Sequence, residues 1–494
     1  MDALSYLYEG LVVASKLNNI FYCFCGVFIG TFIGVLPGIG PTGTMALLLS
    51  LTYTMPTESA IIMLAGIYYG AQYGGSTTAI LVNIPGEVSS TVACLEGYQM
   101  SLQGRGGPAL GIAAFGSFIG GTAAVIGMIF LAKPLSDLAL RFGPPEYFAV
   151  MVLAMTLVVY LGRGSMVKAL IMVVLGSALS FVGLDPVDGY TRFTFGSINL
   201  MDGVGLVPLA MGLFGVSEVF FNLGTSEEMT IYKARAKNLL PNLKDWMNSI
   251  GPIIRGTILG FALGVLPGVG TTASSFTSYT MEKKLSKHPE KFGTGVIEGL
   301  AGPETANNAA STGCLIPLFT LGLPTNSIMA MLFAALLIHG IQPGPLIIQE
   351  HPQVYWSLVG SLYIGNIILL LLNLPLIGVW VRLLSIPYKT LYPLILLFCL
   401  IGAYASRNST FDVIIMIFFG LGGYMFKKLD YDLAPLLIAF VLGPMIEKSL
   451  RQSLIISGGN LLFFLSRPIA VVALLIALVI LSYPLISIFW KKRR

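Results

Sequence analysis

Apolar runs long enough to cross a bilayer recur along the chain, among them Ala109 to Ala132, Glu146 to Tyr160, Leu206 to Phe221, Val359 to Leu374 and Ile469 to Trp490. Together they predict an all-α polytopic membrane protein with about eleven to thirteen transmembrane or re-entrant helical elements. Two of the apolar segments are interrupted in the same way. Gly34 to Ala46 reads GVLPGIGPTGTMA, and Gly264 to Ser275 reads GVLPGVGTTASS. A second pair of interruptions follows in the same order, STTAILVNIPGEVSS from Ser76 to Ser90 and STGCLIPLFTLGLPTNS from Ser311 to Ser327. The second copy is longer, by an insertion expected in the loop Met281 to Phe292.

Loop charges divide these copies. The Met281 to Phe292 loop carries Lys283, Lys284, Lys287 and Lys291, whereas its counterpart from Ser50 to Ser59 has no Lys or Arg. The next pair reverses the contrast, with Arg105 in LQGRGGP and no Lys or Arg between His339 and Trp356. By the positive-inside rule the halves should be inverted relative to each other. The connector, with Lys233, Arg235, Lys237 and Lys244, and the terminal KKRR should both be cytoplasmic. The expected layout is an interfacial helix over 1–19, a first inverted repeat over 20–223, a cytoplasmic connector over 224–251, a second repeat over 252–450, and a last span with a basic tail over 451–494.

Composition agrees with the pattern. Only 10% of residues are Asp, Glu, Lys or Arg, 55% are hydrophobic, and the mean hydropathy is +0.83, so water is not the main solvent of this chain. The net charge of +5 sits in short loops, with no basic face to read nucleic acid. Cys23, Cys25, Cys94, Cys314 and Cys399 lie in or beside apolar stretches and read as small buried hydrophobes. His288, His339 and His351 stand apart from any ligand or nucleophile pattern, so no metal site and no enzyme chemistry is expected. An intramembrane enzyme would need paired acids or a nucleophile with its base. The start, MDALSYLYEGLVVASKLNNIFYCF, lacks the basic region and small-residue cleavage site of a signal peptide. Gly38, Gly40 and Gly43 also spell GxGxxG, but here the motif interrupts an apolar segment and holds Pro41, whereas a dinucleotide fold needs a strand-turn-helix context.

Proline removes a backbone donor and clashes with the preceding turn, and glycine relaxes the chain, so GVLPGIG cannot continue as a regular helix. In lipid the freed backbone groups need partners from protein, water or ligand. Matched breaks in two halves are the strongest sequence pointer to a transporter site near the midplane, where half-helix starts aim their amides at an anion. The candidate substrate and ion ligands are therefore Pro37, Gly38, Gly40, Thr42, Gly43 and Thr44 at the first break, and Ser76, Thr77, Thr78, Asn83, Pro85, Gly86 and Ser89 at the second. The third contributes Pro267, Gly268, Gly270, Thr271, Thr272 and Ser274, and the fourth Asn307, Asn308, Ser311, Thr312, Pro324, Thr325, Asn326 and Ser327. Neutral donors of this kind can hold carboxylates without the cost of desolvating a fixed cation. Glu304, also a candidate, could bind a coupling cation or relay a proton, or could instead sit at the water-facing mouth of a loop. Glu87 reads as a loop carboxylate, and Asp185, Asp188 and Arg192 as an interfacial loop.

GVLPGIGPTGTMALLL, IYYGAQYGGSTTAILVNIPGEVSS, EGYQMSLQGRGGPALGIAAFGSFIGG and EGLAGPETANNAASTGCLIPLFTLGLPTNS together resemble the large membrane subunit of tripartite tricarboxylate transporters, from about Gly26 to Glu447. The resemblance implies a multi-pass transporter of the bacterial inner membrane. It would take a small carboxylate, such as citrate, from a periplasmic solute-binding protein and work beside a small four-span membrane subunit. A Na⁺ or H⁺ gradient would drive it by alternating access of elevator type, and no other cofactor is implied. A stand-alone organic-anion transporter or a channel without a binding protein is the alternative. The family's Pro-Gly loops fall on Pro37 to Thr44, Ser76 to Ser90, Pro267 to Ser275 and Asn307 to Ser327. One departure is that Leu323, Pro324, Thr325 and Asn326 stand where many relatives have an Ile-Pro-Gly step.

Overall fold

The computed structural model describes residues 3–36, 40–161, 165–185, 188–223, 239–383 and 388–491. The first half runs α1 (Ala3–Ala14), α2 (Leu17–Val35), α3 (Gly40–Leu49), α4 (Thr57–Val82), α5 (Thr91–Leu102), α6 (Gly106–Ala139), α7 (Pro144–Leu161) and α8 (Met166–Ser180). A two-stranded antiparallel hairpin follows, β1 (Gly183–Leu184) and β2 (Thr191–Arg192), with Gly183 opposite Arg192 and Leu184 opposite Thr191. Then come α9 (Leu206–Ala210), a π-helical stretch (Met211–Val216) and α10 (Ser217–Leu223). The second half holds α11 (Leu243–Val265), α12 (Gly270–Leu285), α13 (Glu298–Gly313), α14 (Leu315–Leu321), α15 (Ser327–Ile338), α16 (Ile347–Glu350), α17 (Pro352–Asn373), α18 (Ile377–Leu383), α19 (Tyr388–Arg407), α20 (Thr410–Lys428), α21 (Ala434–Ile456) and α22 (Pro468–Lys491). Among the described residues, seven helical stretches are long and apolar enough to cross a membrane, and four shorter apolar helices accompany them. The protein is an all-α polytopic membrane protein.

Close helix contact is built from small residues. Gly26, Gly30 and Gly34 of α2 face Gly66, Gly70 and Gly74 of α4, and a β-carbon on any of the first three would fall on the carbonyl oxygens of Met63, Ile67 and Ala71. In the second half Gly256, Gly260 and Gly264 of α11 press likewise on the carbonyls of Gly302, Ala306 and Ala310 of α13. Lipid supplies no hydrophobic force between helices, so this backbone-to-backbone packing supplies much of the cohesion. The four-residue spacing is visible in the sequence as a small-xxx-small pattern.

The halves interlock. α6 packs along α13 of the other half and α17 packs along α4, while α8 lies on α21 and α20 on the helix from α9 to α10. Consequently α4 and α13, which carry the second and fourth interruptions, are buried almost throughout and shielded from lipid. Their polarity keeps them off the list a hydropathy scan yields, although they form the centre of the fold.

Several sequence expectations shift here. The polarity of the connector predicts a helix start near 252, yet α11 begins at Leu243, because Asn242 and Asp245 form a capping box and Pro252 is accommodated inside the helix. α21 likewise runs past 450 to Ile456. The Met281–Phe292 loop is shorter than expected, since Lys283 and Lys284 occupy the last turn of α12, where they complement its carbonyl end. Lys233, Arg235 and Lys237 lie outside the described residues. Asp185 and Arg192 of the hairpin bind each other, and Arg192 and Arg451 both bind Glu447 of α21.

The loops group by charge. The end of α5 meets the Lys-rich loop: Gln103 Nε2 donates to Thr294 O (2.6 Å), and the carboxylate of Glu96 accepts from the N–H groups of Gly293, Gly295 and Val296. Arg105 binds Asp245 at the start of α11. The Thr57 hydroxyl lies 3.3 Å from His339 Nδ1, which brings the two segments without Lys or Arg together.

On α11, Arg255 grips the buried Glu282 of α12 through Nε to Oε1 (2.9 Å) and Nη2 to Oε2 (2.5 Å). Removing one partner of a buried pair strands the other charge, whereas removing both does not. Arg255→Met should therefore lower stability by about 3 kcal/mol, and the double variant with Glu282→Gln should recover most of it. Unfolding midpoints in detergent check this.

Candidate functional site

Each interruption follows from local chemistry. α2 stops at Val35 and α3 starts at Gly40, whose φ of +66° belongs to the left-handed region that glycine tolerates. Pro37 and Gly38 lie outside the described residues. In the other half α11 stops at Val265, Gly268 and Gly270 take φ of +83° and +65°, and α12 follows. A β-carbon on Gly268 would also stand 2.9 Å from the Val158 nitrogen of α7. The hydroxyls do equivalent work: Thr44 Oγ1 donates to Gly40 O (2.9 Å) and Ser274 Oγ to Gly270 O (2.8 Å).

The second pair is matched in the same way. α4 ends on Asn83 and α14 on Gly322, both left-handed, with φ of 59° and 69°. After Asn83 the chain doubles back over α4. Gly86 N donates to Gly75 O (3.5 Å), and a side chain on Gly86 would collide with Gly34 O and with Gly75 Cα (2.7 Å). A short turn, Val88–Ser90, leads into α5. After Gly322 the Leu323-Pro324-Thr325-Asn326 step leads into α15, with Asn326 Oδ1 accepting from Met329 N (2.8 Å). The departure from Ile-Pro-Gly thus supplies α15 with a side-chain cap.

All four interruptions open on one cavity of about 720 Å³. Of the expected residues, Gly40, Thr42, Gly43, Pro85, Gly86, Gly268, Gly270, Thr271, Thr272, Thr325, Asn326 and Ser327 line it. Thr42 Oγ1 and Ser327 Oγ, from opposite halves, are 2.9 Å apart. The starts of α3, α12 and α15, and the turn leading into α5, all reach the cavity wall, so backbone N–H groups not yet used within those helices converge there.

The remaining candidates sit behind that wall. Thr44, Thr78, Asn83, Pro267, Ser274 and Pro324 shape the breaks and do not line the cavity. Ser89 Oγ donates to Gln72 Oε1 (2.8 Å). Ser76 donates to Glu304, which is 1% exposed in mid-helix and far from the loop mouth considered as its alternative. Asn308 Nδ2 donates to Ser117 Oγ (2.7 Å), Ser311 and Thr312 donate back to Asn308 O, and both polar atoms of the Asn307 side chain lack a protein partner. Thr77 and Ser76 border a second, small cavity with Ser117 and Asn373.

Other lining residues carried no sequence signal. Phe214 belongs to the π-helical stretch, Glu218 to α10, Val158 and Leu161 to α7, Asp432 to the turn before α21 and Pro435 to its first turn. Their proximity is tertiary, and only a π-bulge, frequent at functional sites, would have marked Phe214. Glu87 lies in the loop after α4, as expected, and that loop borders the cavity, with the Glu87 backbone N–H donating to Ser90 Oγ (3.3 Å). The cavity wall has no Lys, Arg or His among the described residues. Its acids are engaged: Glu218 binds Lys427, Asp432 Oδ1 accepts from Ala434 N (3.0 Å), and Glu87 takes part in the capping box of the turn.

Compared with known proteins, residues 20–438 match the model of the tripartite tricarboxylate transporter TctA family. An uncharacterized 52.8 kDa protein of Agrobacterium vitis, from the TAR-I ttuC' 3' region, is 48% identical over 493 residues, covering 100% of this chain and 98% of the relative. A second A. vitis protein, from the TAR-II ttuC' 3' region, is 47% identical over 234 residues, 47% of this chain and 97% of its own length. An uncharacterized protein of Methanocaldococcus jannaschii is 26% identical over 117 residues, 24% of this chain and 29% of that protein. No solved structure matches.

Proposed function

Since this chain belongs to the tripartite tricarboxylate transporter TctA family, we propose that it is the membrane subunit that carries a small di- or tricarboxylate through the four-break cavity. The observation that carries this reading is the meeting of helix starts and neutral hydroxyls from both halves on one cavity without a fixed cation. Amides and hydroxyls compensate carboxylates and release them again, because no permanent counter-charge holds the ligand. The acids on the wall leave the empty cavity unwelcoming to an anion. A polycarboxylate therefore enters together with cations, which fits coupling to a Na⁺ or H⁺ gradient.

Family membership supports delivery by a periplasmic binding protein, partnership with a small membrane subunit and a place in the inner membrane as parts of this proposal. The grouping of Lys-bearing loops with the α11 start, apart from the loops without Lys or Arg, supports a cytoplasmic connector and inverted halves. Exchanging the conformations of two inverted halves turns an outward-open site inward, and the interlocked packing makes a moving bundle against a scaffold the natural form of that exchange.

The test is uptake of labelled di- and tricarboxylates by proteoliposomes containing this chain together with a solute-binding protein and a small membrane subunit of the same family of systems. Saturable uptake should rise at least about tenfold when a Na⁺ or H⁺ gradient is imposed, the behaviour of alternating access. A flux indifferent to both gradients, or unitary currents in bilayer recordings, would overturn the proposal.

A further inference from the structure

Glu304 differs from every other deeply buried carboxylate among the described residues. Asp185, Asp245, Glu282 and Asp412 each bind an arginine, and Glu146 lies 3.9 Å from Arg467. Glu96 accepts three backbone N–H groups and the Tyr279 hydroxyl. Glu304, on α13 and 1% exposed, receives one hydroxyl hydrogen bond, from Ser76, and no Lys, Arg or His of the described residues pairs with it. An isolated charge cannot be buried this way; it must be neutralised by a proton or a cation.

A second observation points to the ligand. Ser76 also borders a void of about 10 Å³, roughly the space of one water or one small ion. Tyr73 and Asn373, each 4% exposed, line the same void, and the Tyr73 hydroxyl and Asn373 Oδ1 have no protein partner. Together with Ser117, these are hard oxygen ligands of the type that suits a small cation. The void does not share lining residues with the large cavity.

We propose that Glu304, bound by Ser76 at the edge of the void that Tyr73 and Asn373 line, carries the single positive charge that couples transport, either one proton on its carboxyl group or one Na⁺ that Ser76 shares with the unpartnered void oxygens. This rests on the carboxylate-transport reading for its purpose, though not for its chemistry. A structural path links the two places. Ser76 lies one turn of α4 from Gln72, whose Oε1 accepts from Ser89 Oγ (2.8 Å), and Ser89 belongs to the turn whose residue Val88 lines the large cavity. Neutralising Glu304 changes what Ser76 must satisfy, and so biases the second interruption from behind. Among titratable groups on the neighbouring helices, Tyr73 of α4 and Cys94 of α5 lie within electrostatic reach of the Glu304 carboxylate, and Glu96 of α5 packs against Gly299 of the same helix α13. α11 and α12 bring Arg255 and Glu282, which are bound to each other, and the turn before α5 brings Glu87.

The experiment follows unfolding of the full chain in detergent, with no carboxylate present, in NaCl against KCl at equal ionic strength and across mildly acidic to mildly basic pH. For a sodium site the midpoint rises in Na⁺ only. For a proton site it falls as pH rises and ignores the choice of salt. In either case Glu304→Gln should remove the dependence, and Ser76→Ala should weaken it, the latter serving if the glutamine variant does not fold. A Glu304→Gln protein that responds as the parent does, or a parent that responds to neither variable, overturns the proposal. The assay contains no carboxylate, so failure of the transport reading would leave this result standing, and Gly422→Ala on α20, whose β-carbon meets nothing within 4 Å, should keep the response.

Discussion

Gly30→Leu should yield no monodisperse protein, or protein whose unfolding midpoint has collapsed. The side chain would have to occupy the position of the Ile67 carbonyl group on α4, and the atoms in its way are backbone, with the Ile67 Cα at 2.8 Å. Flexible neighbours relax around an added methylene at a cost of about 1–3 kcal/mol, whereas two helix backbones can only move apart, so the loss should exceed about 3 kcal/mol. Separating α2 from α4 also opens the floor of the cavity, because Gly86 packs directly over Gly34 and Gly75. Gly260→Leu should fail similarly in the second half, where the neighbour is the carbonyl of Ala306. Gly422→Ala on α20 is the control: its β-carbon meets nothing within 4 Å. There the better helix propensity of alanine should leave stability unchanged or raise it by up to about 1 kcal/mol. Midpoints and size-exclusion profiles of the three variants decide the matter, and a normally folded Gly30→Leu protein would refute the described α2 to α4 contact.

The positions of the interruptions are legible in the sequence because their cause is local. A proline or a left-handed glycine acts on its own backbone, and the GVLPG repeats end α2 and α11 where covalent chemistry says they must. That the four interruptions meet was also accessible, since an internal repeat places equivalent segments at equivalent depth. What the sequence hides is which polar groups face the shared space. Thr42 and Thr44 are two residues apart on α3, yet one lines the cavity and the other closes on Gly40 O. Glu304 and Ser327 belong to one sequence motif, yet they end in different compartments, because the apolar α14 and the Gly322 turn intervene. The boundary near 251 escaped because the capping box of Asn242 and Asp245 starts α11 inside the polar connector, and α21 continues past 450 to Ile456. Phe214 and Asp432 entered the wall through tertiary packing alone, which no spacing rule reports.

The cavity assignment can be separated from the fold it depends on by adding a charge that the fold tolerates and an anion does not. Thr42 sits in the first turn of α3, 8% exposed, on the cavity wall. A carboxylate near a helix start is favourable by about 0.3–1 kcal/mol, which offsets part of the cost of placing it on a largely buried wall, so Thr42→Asp should stay folded within about 2 kcal/mol of the parent. In the cavity the new charge occupies the amide ends intended for substrate and repels an incoming carboxylate. At separations near 4 Å in a partly screened site this is worth about 2–4 kcal/mol, a fall in uptake of about 30- to 1000-fold. Thr272→Asp, at the matching place in the second half, should act in the same way, whereas Thr42→Asn, neutral and similar in size, should stay within about tenfold of the parent. Stability and proteoliposome uptake measured on the same preparations distinguish the outcomes. If Thr42→Asp folds normally and transports at the parental rate, substrate does not pass between these helix starts, and the four-break cavity is an architectural seam rather than the carboxylate site.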